Sequence, residues 1–149
     1  MSIINGKRSW IWIEENHPDN GLFRAYWKDI LGPKNGGATL DSAKSEGLRY
    51  EWYYKDGKQD GVSKGWYPSG KLKQLWNWKD GKRDGLETEW YENGQKLSER
   101  MYKDGKREGL WTYWYSDGQK RREIIYKNGK HVKWTEWYKG GQKKKEQIY

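Results

Sequence analysis

Two histidines, His17 and His131, are the only imidazoles in 149 residues, and the chain has no cysteine. Both fall in turn-like stretches with no nucleophile and no recurring carboxylate beside them. Neither a nucleophile–base series nor a zinc-ligand spacing can be assembled from such a set. Asp and Asn recur, but one position before glycine, where turn chemistry already accounts for them. Calcium loops crowd several oxygen ligands into one short stretch, whereas the recurring KDGK offers one carboxylate between two lysines. Glu87 and Glu89 would share a strand face, yet they lack the context of an active site outside the repeat. The residue types predict no enzyme, no metal and no cofactor.

The abundant chemistry is that of recognition. Twelve Trp, twelve Tyr and one Phe make up 17% of the chain, half of its 33% apolar fraction. Each buried ring removes a large area from water, so few residues can build a long, shallow core. The rings keep step along the chain, with Trp66, Trp90, Trp114 and Trp137 each followed at once by Tyr67, Tyr91, Tyr115 and Tyr138. Alternation in an extended strand sends such neighbours to opposite faces. Leu86, Thr88 and Trp90 then point one way and Glu87, Glu89 and Tyr91 the other. In the following unit Leu110, Thr112 and Trp114 oppose Trp111, Tyr113 and Tyr115. The Trp series reads as a core stripe. The Tyr series, with Trp111 and Tyr113 beside it, is the candidate partner surface, because a ring with a hydroxyl tip suits a half-exposed interface.

Turns must position these rings, and the turns are regular. The stretches beginning at Gly61, Gly85 and Gly109 repeat one another at a spacing of 24 residues. Within that period an aromatic, a turn pair and a glycine recur as YKDG, YPSG, WKDG, YENG, YKDG, YSDG, YKNG and YKGG. Their glycines, 57, 70, 81, 94, 105, 118, 129 and 141, are spaced 13, 11, 13, 11, 13, 11 and 12. Asp-Gly and Asn-Gly suit tight hairpin turns because glycine accepts a positive φ that a Cβ forbids. The residues left between turns match an ordinary strand length. Each unit is therefore a β-hairpin plus the turn to the next. The predicted fold is all-β, an elongated antiparallel meander of successive hairpins forming an open, twisted sheet.

The amino-terminal part, 1–46, reads as a degenerate hairpin or cap before a repeat array over 47–149. Trp10–Ile13 is a strand candidate. Gly21–Asp29 aligns with Gly109–Asp117 and is read as a strand, although a helical face through Leu22, Phe23, Tyr26, Trp27, Ile30 and Leu31 competes. Residues 32–46 are small, polar and glycine-rich, an inserted loop at a hairpin tip. Residues 47–54 then return as a strand.

The formal charge is +9, from 30 basic and 21 acidic residues. Lys120, Arg121, Arg122, Lys143, Lys144 and Lys145 form a candidate basic patch, for which an anionic lipid or nucleic acid is the sharper partner. Solubility and protection of an edge strand are the plainer explanations. Open sheet edges also invite a homodimer. No apolar run is long enough for a signal peptide or a transmembrane segment, so a cytoplasmic protein is expected.

The unit G-L-x-T-x-W-Y-x-x-G followed by Y-K-D-G-K resembles the MORN repeat, in the variant common in bacterial and phage proteins. The resemblance is carried by Gly47–Tyr149. It implies an elongated sheet of hairpins serving as a scaffold or protein-binding surface, with membrane lipid as a further ligand class. The turn pattern is also similar to the YwqK-type antitoxin branch, which implies neutralising a toxin by covering it. A looser similarity to choline-binding hairpin modules implies aromatic cages for a small ligand. The expectation is a non-catalytic interaction module, with the antitoxin-type and anionic-surface readings as alternatives.

Overall fold

The structure is a computed structural model that describes residues 9–14, 21–28 and 48–149. The predicted loop over 32–46 and His17 lie outside the described residues. Thirteen strands form one sheet among those described: β1 (Ser9–Glu14), β2 (Gly21–Lys28), β3 (Leu48–Lys55), β4 (Lys58–Gln59), β5 (Gly61–Trp66), β6 (Leu72–Lys79) and β7 (Lys82–Arg83). They continue as β8 (Gly85–Trp90), β9 (Lys96–Lys103), β10 (Lys106–Trp114), β11 (Lys120–Lys127), β12 (Lys130–Trp137) and β13 (Lys143–Ile148). The path β1-β2-β3-β5-β6-β8-β9-β10-β11-β12-β13 is antiparallel throughout and open at both ends, with β4 and β7 as short flaps on β3 and β6. The predicted meander is present. Gly21–Lys28 is a strand rather than a helix, paired with β1 on one side and β3 on the other. Among the described residues no helix is long and apolar enough to cross a membrane.

Two kinds of turn alternate along the two sides of the ribbon. On one side Asp56-Gly57, Asp80-Gly81, Asp104-Gly105 and Asn128-Gly129 all have positive φ, near 50° for the first residue and 70–81° for the glycine. That is the two-residue turn whose twist suits flanking strands, and Asp and Asn tolerate the left-handed region better than most residues. On the other side the loop is longer. Gly70, Gly94, Gly118 and Gly141 donate to the carbonyls of Tyr67, Tyr91, Tyr115 and Tyr138. The same four tyrosines donate to Lys71, Gln95, Gln119 and Gln142, closing a three-residue loop with glycine as the bulge. The 13–11 alternation in the sequence is thus two turn geometries taken in rotation.

A register shift falls at each tryptophan that ends a first strand, at Gly65/Trp66, Glu89/Trp90, Tyr113/Trp114 and Glu136/Trp137. Between shifts the rows run unbroken across the sheet. One row reads Glu51, Lys64, Leu75, Thr88, Glu99, Thr112, Glu123, Thr135 and Glu146, each the cross-strand neighbour of the next. The adjacent row, on the opposite face, reads Tyr50, Gly65, Gln74, Glu89, Ser98, Tyr113, Arg122, Glu136 and Lys145. We call these the Thr/Glu face and the arginine face.

Among the described residues the sheet is a single layer, so its cover comes from side chains leaning over their neighbours, over the large rings of the arginine face and over the threonines of the other. Among the described residues, Trp111 and Tyr126 are the only buried apolar side chains, at 5% and 7% exposure. Small polar groups between the large ones are sealed: Ser63, Ser98, Thr88, Thr112 and Thr135 are all buried. The shallow core expected from an aromatic-rich, apolar-poor chain is what forms.

Candidate interaction surfaces

The tyrosine series occupies the mouths of the longer loops, one residue past the strand ends. Its hydroxyls reach forward across a strand: Tyr67 donates to the Trp90 carbonyl at 2.6 Å, Tyr91 to Trp114 at 2.8 Å and Tyr115 to Trp137 at 3.0 Å. All three tyrosines are half-buried. Burial pushes the Tyr67 phenol above its ordinary value, with Glu92 and Glu89 adding to the effect. Tyr138 ends the series and is 53% exposed. The tryptophan series, read as a core stripe, is half-buried at Trp66, Trp90, Trp114 and Trp137, and three of its members supply the accepting carbonyls.

A second set of ties runs along the other side. The amides of Asp80, Asp104 and Asn128 donate to the carboxylates of Asp60, Asp84 and Glu108 at 3.1, 2.9 and 3.0 Å. Beside them the amides of Gly81, Gly105 and Gly129 donate to the carbonyls of Gln59, Arg83 and Arg107. Consecutive backbone N–H groups in such a turn make a small anion-binding concavity, and here the previous unit fills it. The acid before Gly61, Gly85 and Gly109 therefore has a defined partner in the next unit.

The arginine face carries a column of cations and rings. Arg83 lies 5.6 Å from the Trp78 ring and 5.3 Å from Tyr102, and its guanidinium donates to the Tyr102 hydroxyl at 3.1 Å. One unit later Arg107 lies 5.4 Å from both Trp111 and Tyr126 and donates to the Tyr126 hydroxyl at 3.2 Å. The Trp111 ring sits between Tyr102 and Tyr126, with centroids at 5.0 and 4.8 Å, and its Nε1 donates to the Met101 carbonyl. Trp111, a candidate for partner contact, therefore serves the inside of the column. His131 closes the column edge-on against Tyr126 and Tyr149.

Glu87, 2% exposed, is the column's counter-charge. Arg83 reaches it at 3.0 Å and Arg100 at 2.5 Å, while Arg100 also holds Glu89 at 2.6 Å. Burial pushes the Glu87 carboxyl above the ordinary carboxylate range, and the two guanidiniums oppose that shift. Tyr113, another candidate contact, is half-buried beside Arg100. Burial raises its phenol while Arg100 pulls it back.

The basic candidates lie on β11 and β13, divided between the two faces of the sheet, and are largely met by acids. Lys120 pairs with Glu123, Arg122 with Glu136, Lys143 with Glu146, and Lys144 reaches Glu136 at 3.8 Å. Arg121 lies over Tyr115 and Lys145 over Trp134. A shallow, open hollow of about 290 Å³ is lined by Arg122, Ile124, Tyr126, His131 and Trp134. Among the described residues no group of three or more His, Asp or Glu side chains is placed to hold a metal ion.

On the Thr/Glu face, Leu86 pairs with Met101 and Leu110 with Ile125. These four are 41%, 38%, 51% and 40% exposed, so two cross-strand pairs of large apolar groups stand open on neighbouring hairpins, set apart by the register shift between Glu108 and Thr112. Ile148 extends the stripe to β13 through Lys133. The alternation placed Leu86 and Leu110 on one face correctly, and the 24-residue spacing of Leu86 and Leu110 was the available signal. The two faces of a single-layer sheet, however, cannot both be recognised as covered or bare from alternation alone.

Among curated proteins none matches the chain. Residues 59–80, 83–104 and 107–128 match the family model of the MORN repeat variant, so the hairpins from β4 to β11 are similar to three consecutive repeats of that kind.

Proposed function

We propose that this chain is a non-catalytic repeat module that binds another protein through the apolar stripe of the Thr/Glu face. The observation that carries the reading is two exposed apolar pairs on neighbouring hairpins of one face, Leu86 with Met101 and Leu110 with Ile125, where a lone exposed leucine would need no explanation. Stacked repeats present such contacts at regular intervals along an extended surface. Lysines and glutamates of the Thr/Glu row supply a polar rim, as Lys96–Glu99 and Lys120–Glu123 do. A reducing, cytoplasmic setting suits a chain without cysteine.

Covering a toxin, as an antitoxin-type protein would, is one form this binding can take. The anionic-surface alternative is less favoured because Lys120, Arg122, Lys143 and Lys144 already face carboxylates. The test is a pull-down with the double variant Leu86→Ser, Leu110→Ser, alongside its thermal melt. Loss of the captured partner with the melt preserved supports the stripe. Full retention of every partner by the double variant sinks it, and capture that collapses at moderate salt moves the assignment to an anionic ligand.

A further inference from the structure

We propose that the shallow hollow on the arginine face, lined by Arg122, Ile124, Tyr126, His131 and Trp134, is a binding site for a small planar aromatic carboxylate. It lies on the face opposite the apolar stripe and goes beyond the module reading. All five residues belong to β11 and β12, and each of those strands has a described neighbour on both sides. The hollow is therefore interior to the ribbon and not a feature of either edge.

A break in the repeat makes the hollow. Trp111 and Trp134 hold the same row, one on each side of Ile124. Where β10 meets β9, residues 109–111 face Arg100 alone, a wide bulge that gives Trp111 room to lean back over β9. Its ring fills the space between Tyr102 and Tyr126, and its Nε1 reaches the Met101 carbonyl at 2.9 Å. Where β12 meets β11 the bulge is smaller. Val132 alone is left over between His131, opposite Tyr126, and Lys133, opposite Ile125. The missing residue is the one that shortens this unit, since Thr88 to Thr112 is 24 and Thr112 to Thr135 is 23. His131 now stands against Tyr126, with centroids 6.3 Å apart. Among the described residues no ring is stacked on Trp134, and the place that the previous unit fills with an indole is an open hollow of about 290 Å³.

The walls select the occupant. Tyr126 is buried and Ile124 and Trp134 are half-buried, an apolar floor with room for one bicyclic ring and little more. The rim is cationic. Arg122 lies 6.0 Å and Lys145 5.3 Å from the Trp134 ring, and Arg107 donates to the Tyr126 hydroxyl at 3.2 Å. Glu136 is the acid beside them, and it already takes Arg122 and Lys144. Arg107, Arg122 and Lys145 against one carboxylate leave the hollow positive, which disfavours a quaternary ammonium and favours an anion. A planar ring stacks on Trp134 in place of the missing aromatic neighbour, and its carboxylate meets the Arg122 guanidinium and Lys145.

The probe is indoleacetate, titrated into the isotope-labelled whole chain and followed by NMR. Saturable shifts are expected at the Trp134 indole N–H and the His131 imidazole, with the Trp90 indole N–H on the opposite face unmoved. Indoleacetamide, which lacks the charge, should bind about tenfold more weakly. Choline should shift neither signal. Trp134→Ala should remove saturable binding, with its thermal melt as the control for folding. Lys145→Glu changes an exposed side chain and should weaken binding about fivefold. If Trp134→Ala does not melt cooperatively, the Lys145→Glu titration decides alone. Equal affinity for acid and amide, binding undiminished in a folded variant, a preference for choline, or shifts that rise without saturating overturns the site.

Discussion

The Tyr91 hydroxyl donates to the Trp114 carbonyl at 2.8 Å, across an intervening strand and 23 residues along the chain. Because the unit is 24 residues long, this bond joins the end of one first strand to the end of the next, as the Tyr67 and Tyr115 bonds do. On the opposite side the Asp84 carboxylate accepts the Asp104 amide, 20 residues on. The ribbon is therefore coupled twice per unit beyond its strand ladder. Stability in such an array is a sum of nearest-neighbour terms, and these side-chain bonds belong to those terms.

Tyr91→Phe deletes the hydroxyl and leaves the half-buried Trp114 carbonyl without that donor. A loss of about 1 kcal/mol in urea unfolding is expected. Tyr138→Phe, at the end of the series, should leave the urea midpoint unchanged. Equal effects of the two substitutions would show that the inter-unit bonds contribute nothing to stability.

Gly65→Ala should be the costlier of two glycine substitutions, although Gly65 does not have a positive φ. A Cβ there would meet Gln74 and the Tyr50 ring at 2.8 Å, on a face where both neighbours are packed. Overpacking of this kind costs about 1–3 kcal/mol. Gly94→Ala meets nothing within 4 Å, and its penalty comes from φ of +88° alone, about 1 kcal/mol. Thermal melts of the pair rank them, and a reversed order would refute the close approach at Gly65.

Lys133 and Lys143 hold the Glu146 carboxyl down to about 2, from an ordinary 4.5. A folded-state value below the unfolded one contributes stability above the unfolded value, lost as pH falls from about 4.5 toward about 2. Glu87 acts in the opposite sense: burial raises it, so the folded chain gains from protonating it as pH falls through that raised value. Carbon-detected NMR titration should find Glu146 the more acidic of the two. Lys133→Met should move its midpoint upward, and an unmoved midpoint would remove Lys133 as the cause.

Much of this architecture was legible in the residues. Glycine spacing marked every turn from Gly57 to Gly141, and Asp-Gly and Asn-Gly gave the turns that carry positive φ on two successive residues. Alternation put Leu86 and Thr88 opposite Glu87 and Glu89, as the register has them. What alternation lacks is any sense of which face is covered. Glu87 is sealed because Arg83 and Arg100 fold over it, and Leu86 is bare because its neighbour is Met101 at the surface. A charged residue inside and a leucine outside invert the usual rule, which assumes a second layer that is absent among the described residues. The tyrosines carry a related ambiguity. A half-exposed phenol reads the same whether its hydroxyl meets a partner or a carbonyl 23 residues away.

The inversion gives the sharpest test of the sheet's two faces, on consecutive residues. Trp111 is 5% exposed, ringed by Tyr102 and Tyr126, crossed by Arg100 and Arg107, and hydrogen-bonded to the Met101 carbonyl. Trp111→Ala opens that column and should cost about 3 kcal/mol or more. Leu110 is 51% exposed on the other face, and Leu110→Ser should change stability by no more than about 0.5 kcal/mol. Urea titrations followed by far-ultraviolet circular dichroism measure both without relying on tryptophan emission. A large loss for Leu110→Ser would mean that the Thr/Glu face, and not the arginine face, holds the array together, and the apolar stripe would then be core rather than contact surface.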